Sequence, residues 1–465
     1  MSLVENFLQR VSSYSSQHKV YFEDQEYSYN QIVAKSYDLA RLLESYKYKK
    51  AFFNLKNSPL TICLYLASWI AEIELVVPIN PRLIDKELEG ILESNSLFLT
   101  DKKSFELTEF YQKNNIEVLI IDDEIMFLEN IPKTTDFEIF NKAVIAHVSS
   151  GTTGSYKKHL HTIDQIIKYA NNRANDLGLI KVNDHLLIAL SMNHAFAFSY
   201  QLLPALAMGL DITIIREFNP QKVAKVVSEC KATALALLPT MYYFLIKENI
   251  TKHKLRSLSV AGDLASEKLH KAVKQKLGLP LLNGIGMTEI FGYGQNFCEN
   301  IRINVVKIFE DTAVKIEKFE GYTYGKIFIK SFMLPINNKE EWLKTGDIGS
   351  FDEQTKELTF YGRYKDIIIK GGSNISPVEL ENIILKLASI KSCVVVGKKD
   401  KIWGELVCAI IVSESKISLE ELNKHLLKYL AEYKKVDMLL NFDQIPLTNT
   451  GKVDRKKIRQ IIEND

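Results

Sequence analysis

From residue 51 onward, short runs of β-branched and aromatic residues alternate with stretches of helical periodicity, and nothing else in the chain restricts its fold as strongly. Ala51-Phe52-Phe53-Asn54-Leu55 reads as a strand, Leu60 to Ala71 as a helix, and Leu75-Val76-Val77-Pro78 as the next strand. Ala143 to Val148, His185 to Leu190, Asp211 to Ile215 and Thr233 to Leu238 read as further strands, with helical patterns between them. Such alternation predicts an α/β fold in which mixed or parallel sheets are covered by helices. After Gly362-Arg363 the pattern starts again. Asp366 to Lys370 is a short strand, Gly371-Gly372 a turn, and Pro377 opens a helix with Glu379 and Glu381 near its positive end. Two strands, Ser392 to Val396 and Leu406 to Val412, flank a Gly/Lys/Asp loop, and Leu419 to Leu430 is a helix. The expected architecture is a large N-terminal domain, 1–363, and a small α+β C-terminal domain, 364–465, joined at Tyr364-Lys365.

A chain of 465 residues exceeds one ordinary core, which agrees with two domains. Its net charge of +2 gives no electrostatic reason to expect nucleic acid or a membrane surface as partner. The lysines are scattered among acids and read as a solvated surface. Cys63, Cys230, Cys298, Cys393 and Cys408 show no paired spacing and read as reduced residues of a cytoplasmic protein. No Cys/His spacing suggests zinc. The apolar stretch from Leu60 to Val77 is broken by Glu72 and Glu74, so it reads as a buried helix and strand rather than a membrane span.

Four segments have the composition of a chemical site. Ser149-Ser150-Gly151-Thr152-Thr153-Gly154, with Lys157 shortly after, has the glycines, hydroxyls and cation of a phosphate cradle. Its spacing is not that of a Walker loop, and a plain polar turn is the alternative. In Gly284-Ile285-Gly286-Met287-Thr288-Glu289, a carboxylate at a strand end could hold Mg²⁺; equally, Thr288 could cap a helix with Glu289 in its first turn. Thr345-Gly346-Asp347, followed by Gly362-Arg363, offers an acid to a vicinal diol such as that of a ribose, or is an ordinary β-turn. Lys452, after Thr450-Gly451, is either a placed cation or a surface lysine.

Taken together and in this order, the segments resemble the AMP-forming adenylating superfamily of acyl- and aryl-CoA ligases, nonribosomal peptide synthetase adenylation domains and luciferases. Gly397-Lys398-Lys399-Asp400 and Trp403-Gly404-Glu405 extend the likeness through the C-terminal part, so that it covers roughly Ala51 to Arg455. The resemblance implies activation of a carboxylic acid by ATP and Mg²⁺ as an acyl-adenylate, and transfer to a thiol, either CoA or the phosphopantetheine of an acyl or aryl carrier protein. Ser149 to Gly154 would clasp the β- and γ-phosphates with Lys157 nearby. Thr288 would contact the α-phosphate, Glu289 would bind Mg²⁺, and Asp347 and Arg363 would hold the ribose. Lys452 would bridge the carboxylate and the α-phosphate. The small domain would be mobile, with Lys365 at the hinge and Gly371-Gly372 lining the thiol channel.

Ser191 to Phe198 holds no Asp to pair with an amine, so an α-amino acid is disfavoured as substrate. His194, Phe196, Phe198 and Gly262 are candidate walls of the acyl pocket, although a His there is equally read as a core residue. Gly286 stands where acetate-activating relatives carry Trp, which points to an aryl or medium acyl group. Two departures bear on the nucleotide: Tyr156-Lys157-Lys158 replaces the family's Pro-Lys-Gly, and Ile285 stands where an aromatic commonly stacks on adenine. They leave open two further readings, a stand-alone adenylation enzyme that loads a carrier protein and a catalytically weak nucleotide-binding homologue.

Overall fold

The computed structural model describes residues 2–14, 18–71, 73–102, 109–123, 143–150, 156–176, 180–181, 183–263, 265–296, 302–447 and 453–464. Its Cα packing divides into two compact units. The first comprises Met1–Gly262, Gly284–Phe297 and Ser331–Glu340; the second comprises Asp263–Asn283, Cys298–Lys330 and Glu341–Asp465.

The first unit holds β1 (Lys19–Phe22), β2 (Gln25–Ser28), β3 (Lys50–Asn54), β4 (Leu75–Pro78), β5 (Ser96–Thr100), β6 (Ile116–Ile120), β7 (Val144–Ser150) and β8 (Tyr156–Thr162). It continues with β9 (His185–Ile188), β10 (Asp211–Ile214), β11 (Ala234–Leu237) and β12 (Ser257–Val260). The hairpin strands β13 (Leu281–Met287), which belongs to this unit from Gly284 onward, and β14 (Phe291–Gln295) follow. One sheet runs β6-β5-β3-β4-β7-β8 and is parallel except for the β7–β8 hairpin. A second carries β12, β11, β9, β10 and β1 in parallel, with β2 returning antiparallel.

The apolar stretch that was expected to be buried is the helix Pro59–Ile70, followed by β4. Proline stands in the helix's first turn, and every one of its twelve residues is buried. Among the described residues no helix is long and apolar enough to cross a membrane. The N-terminal ends of β9, β11 and β12 meet at Asp184, which is 3 % exposed. Its carboxylate accepts from Arg256 Nε and Thr233 Oγ1, each at 2.6 Å, and from Lys181 N at 2.5 Å. A buried acid is tolerable only with such donors.

In the second unit β15 (Val305–Ile308), β16 (Thr312–Lys318), β17 (Gly325–Ser331), β18 (Leu343–Asp352) and β19 (Glu357–Arg363) are ordered β16-β17-β18-β19-β15. β20 (Ile368–Lys370), β21 (Ser373–Ile375), β22 (Ile390–Asp400), β23 (Gly404–Ser413) and β24 (Met438–Asn441) form a separate sheet. The helix Pro377–Ile384 opens at Pro377, as the sequence predicts, with Ser376 as its cap. Gly397 to Asp400, expected to be loop, is strand: it pairs with Val407 to Gly404 in a long hairpin. Lys399 there is exposed and Lys398 half-buried on a paired strand, so their polarity is a false loop signal.

Asp184→Ala leaves the Arg256 guanidinium half-buried beside donors with no acceptor. The expected loss is about 3–5 kcal/mol of unfolding free energy, read from denaturant melts. A change under about 1 kcal/mol contradicts the role given to this carboxylate.

Candidate active site

The β7–β8 hairpin presents two unlike faces. Ala146, Val148, Tyr156 and Leu160 pack on a core cluster with Phe52, Val77 and Phe98. The register sets Ile145 opposite His161, His147 opposite His159, and Ser149 opposite Lys157. Residues facing one another across an antiparallel pair share a side of the sheet. Ser149, Lys157 and three histidines therefore share the other face. Gly151, Thr152, Thr153 and Gly154 lie outside the described residues, as does the side chain of Ser150.

The two lysines after the loop differ in position. Lys158 donates to Glu93 at 2.5 Å, and Lys50 donates to the same carboxylate at 2.8 Å. Partial burial works to raise Glu93, yet these two donors hold it below its ordinary value. Lys157, on the Ser149 face, is exposed.

Thr288-Glu289-Ile290 is the turn between β13 and β14, not the start of a helix. Ile285 pairs with Gly294 and Gly286 with Gly292, so Tyr293 is an extra residue that bulges the hairpin. The strands approach closely at this point. A Cβ on Gly286 would lie 2.7 Å from Phe291 O and 2.9 Å from Gly292 Cα. Backbone proximity alone therefore demands glycine at 286, apart from any pocket it leaves open. Phe291 has φ +62°, a conformation that costs a bulky residue about 1–3 kcal/mol. Its ring is 2 % exposed and packs against His161 at 4.9 Å, His147 at 5.1 Å and Tyr169 at 5.3 Å.

His161 Nε2 donates to Glu289 O at 2.8 Å and lies 3.1 Å from Met333 O. His159 Nε2 lies 2.8 Å from Ser149 Oγ and 3.6 Å from Glu289 Oε1. Burial pushes His161 down to about 4. It also lowers His159, against the attraction of Glu289. His147 is 1 % exposed with no hydrogen-bond partner at either ring nitrogen among the described residues, and burial holds it far below its ordinary value. The composition of 149–158, rich in Ser, Gly, Thr and Lys, is that of a loop and masks the histidine pattern that follows it. The signal was the alternation His147-x-Ser149 and Lys157-x-His159-x-His161, which on two strands makes one face.

His194 is exposed, which excludes the core alternative. Buried Asn193 donates to Leu55 O at 2.7 Å and Ile79 O at 3.1 Å, and this fixes the turn that presents His194. The next turns form a π-helix, Ala197–Leu202, in which Leu203 N reaches Phe198 O. Pro204 follows and has no N–H to return to the preceding turn. Phe196 is half-buried beside Tyr200. Phe198 is 1 % exposed, packed between Tyr65 at 4.8 Å and His147 at 4.9 Å. Gly262 has φ +88°, and a Cβ there would lie 2.8 Å from Leu238.

In the second unit, Thr345-Gly346-Asp347 is a bulge within β18 rather than a β-turn. Lys326 pairs with Ile348 and Phe328 with Lys344, so the three residues stand opposite Ile327 alone. Gly346 supplies φ +76°. Thr345 Oγ1 donates to Ile327 O at 2.9 Å and accepts from Asp347 N at 3.0 Å. Asp347 is thereby aimed at Arg363, whose Nε lies 2.9 Å from its Oδ1. Lys365 is exposed in a short 3₁₀ turn, Tyr364–Asp366. Gly371 and Gly372 have φ +55° and +80°, and Gly371 N donates to Trp403 O at 2.8 Å. Lys452 lies outside the described residues. The flanks of its segment are joined by a bridge between Leu447 and Val453, and by Asp454 N donating to Pro446 O at 2.9 Å. Arg455 is tied to half-buried Glu381 at 2.7 Å and to Val395 O at 2.6 Å.

Glu289 is one partly exposed carboxylate on a hairpin turn, with hydroxyl groups in the same unit. Among the described residues no group of three or more His, Cys, Asp or Glu side chains converges. That donor set fits a hard cation that draws most of its ligands from phosphate oxygens and water.

The family described as AMP-binding enzyme matches residues 7–321, and the AMP-binding enzyme C-terminal domain matches residues 379–452. The chain belongs to the AMP-binding enzyme family. A 2-succinylbenzoate–CoA ligase of Staphylococcus aureus is 26 % identical over 97 % of this chain and 99 % of its own. The o-succinylbenzoate CoA synthetase of Bacillus subtilis, solved with the acyl-adenylate intermediate OSB-AMP, superposes with TM-score 0.83 at 25 % identity, covering 98 % of each chain. The same synthetase, solved with ATP and magnesium ion, gives TM-score 0.83 at 25 % identity over 98 % of this chain and 99 % of its own.

His161 and His185 are both lowered by burial to about 4 in the folded chain, against about 6.5 when unfolded. Acid protonates the unfolded chain first. Their contribution to stability is therefore whole above about pH 6.5 and is lost as pH falls toward 4. Each should remove on the order of 2 kcal/mol by pH 5, and His147 acts in the same direction. Tm is expected to fall between pH 7 and pH 5, and less steeply in His185→Gln. An unchanged slope in that variant would refute the assignment.

Proposed function

We propose that this chain is an ATP-dependent acid–CoA ligase acting on an aryl or medium acyl acid. The observation that carries the reading is the end-to-end match to 2-succinylbenzoate–CoA ligase, 97 % of one chain against 99 % of the other. 2-Succinylbenzoate is accordingly the first acid to test. A carboxylate oxygen attacks the α-phosphorus of ATP and pyrophosphate leaves; the thiol sulfur of CoA then attacks the acyl carbon and AMP leaves.

Carboxylate and α-phosphate are both anions, and fixed positive charge has to cancel their repulsion in a water-poor site. In this reading Lys452 supplies that charge as a compact ammonium. Mg²⁺, when bound, contributes further charge at the phosphate oxygens, and Glu289 holds it. Ser149 to Gly154, Lys157 and Thr288 grip the phosphates; Asp347 accepts from the ribose hydroxyls while Arg363 steadies its carboxylate. His194, Phe196 and the backbone at Gly286 and Gly262 border the acyl group, with Phe198 packed behind them. The C-terminal domain, from 364 onward, turns about Lys365 between the two half-reactions and brings Gly371-Gly372 to the thiol. Ile285 offers no ring to adenine, so aliphatic packing alone would serve there.

Pyrophosphate release with a panel of aryl and acyl acids tests the reading, with 2-succinylbenzoate expected among the active ones. Silence with every acid, from folded protein, counts against it. Supplying CoA and a carrier protein in parallel identifies the acceptor; CoA is expected to be acylated. Lys452→Ala should slow adenylate formation by about 10²–10³ and leave thiolation of a supplied acyl-adenylate far less affected. Equal losses in both half-reactions would remove Lys452 from the role.

A further inference from the structure

Of the three imidazoles on the Ser149 face of the β7–β8 hairpin, His147 and His161 are closed off from solvent. The third, His159, reaches the hydroxyl that borders the phosphate loop. Its Nε2 lies 2.8 Å from Ser149 Oγ, a hydrogen bond, and 3.6 Å from Glu289 Oε1, within electrostatic reach. These two neighbours decide where the proton between nitrogen and hydroxyl sits. A bare Nε2 would turn its lone pair toward the Glu289 carboxylate, whereas an Nε2–H turns its positive end toward both oxygens. Imidazole carries one N–H when neutral and two when charged, and in either form the carboxylate favours hydrogen at Nε2. His159 Nε2–H therefore donates to Ser149 Oγ. Both ends of the contact are held: His159 stands in the ladder opposite His147, and the Glu289 backbone is fixed by His161 at 2.8 Å.

A serine hydroxyl has one hydrogen to give and two lone pairs to receive. By receiving from His159, Ser149 keeps its own hydrogen for another acceptor. With the roles reversed it would spend that hydrogen on the imidazole and show an anion only lone pairs. Ser149 stands two residues before Gly151, where the glycine- and threonine-rich loop begins. We infer that His159 is a positioning residue for the nucleotide: its Nε2–H sets the Ser149 rotor so that the hydroxyl hydrogen is directed to a β- or γ-phosphate oxygen. The inference rests on the ligase reading, in which Ser149 grips those phosphates. Neither neighbouring imidazole replaces His159. The His161 Nε2–H is committed to carbonyl oxygens, and His147 is buried among Phe198 and Phe291.

The test is titration calorimetry on the full-length protein with Mg²⁺·ATP and, separately, with AMP, which lacks the β- and γ-phosphates. His159→Phe keeps a ring without the donor, and His159→Leu removes both. In each, affinity for Mg²⁺·ATP is expected to fall about 10-fold, the worth of one hydrogen bond to a charged group, with affinity for AMP little changed. His159→Gln puts an amide N–H in place of Nε2–H and is expected to recover most of that loss. Ser149→Ala should lose as much as His159→Phe, and the double variant no more, because the imidazole acts through that hydroxyl. Equal losses for ATP and AMP would mark a purely structural role and overturn the inference. Additive losses in the double variant, a His159→Gln no better than His159→Leu, or ATP affinity unaltered in both His159→Phe and His159→Leu also overturn it and leave the ligase reading standing. Folded unmodified protein that binds neither nucleotide overturns both.

Discussion

The hydrogen bond from His161 to the carbonyl of Glu289 is the constraint on which the first unit's site depends. A hairpin turn buried against another hairpin must find donors for its carbonyls, since an orphaned group costs about 1–3 kcal/mol. Here the donor is a fully buried imidazole on β8, and the same nitrogen reaches Met333 O. One ring thus joins three segments that are distant in sequence. It sets the height of the Thr288–Ile290 turn over the β7–β8 face, and so the place at which the Glu289 carboxylate emerges beside Ser149 and His159.

Glycine sustains that arrangement from the other side. Gly286 lets β13 approach β14 within a distance that any Cβ would block, and Gly346 opens the β18 bulge that aims Asp347. In both hairpins an irregularity in register lies near a carboxylate of the proposed site. Bulges commonly re-aim a side chain, and the one in β18 moves Asp347 out of the alternation its neighbours obey.

The regular elements were legible because local preference and burial agree in them. Ala51 to Asn54, Leu75 to Pro78 and the buried helix from Pro59 are apolar, β-branched or capped in the expected manner, and they fold as read. Legibility failed where tertiary pairing overrides local polarity. Gly397 to Asp400 has a loop's composition and a strand's partner. Thr288 has a helix cap's composition, yet Gly292 lies too near for the chain to do anything but turn back. His159 and His161 take their meaning from the residues of β7 they face, and a single segment read alone does not contain that register. The likeness in motif order was legible at family level, whereas the meeting of His159 with Glu289 depends on how these two hairpins pack.

Phe291 touches both parts of the chemistry assigned to the first unit. One side of its ring meets His147 and His161, behind the Ser149 and Glu289 positions; another meets Phe198, behind the candidate acyl wall. Its backbone is held at a dihedral angle that few aromatic residues adopt. A substitution that moves Phe198 will therefore press on His147 and His161 through one ring. In the proposed reading, selectivity for the acid and affinity for the nucleotide then become mechanically linked traits.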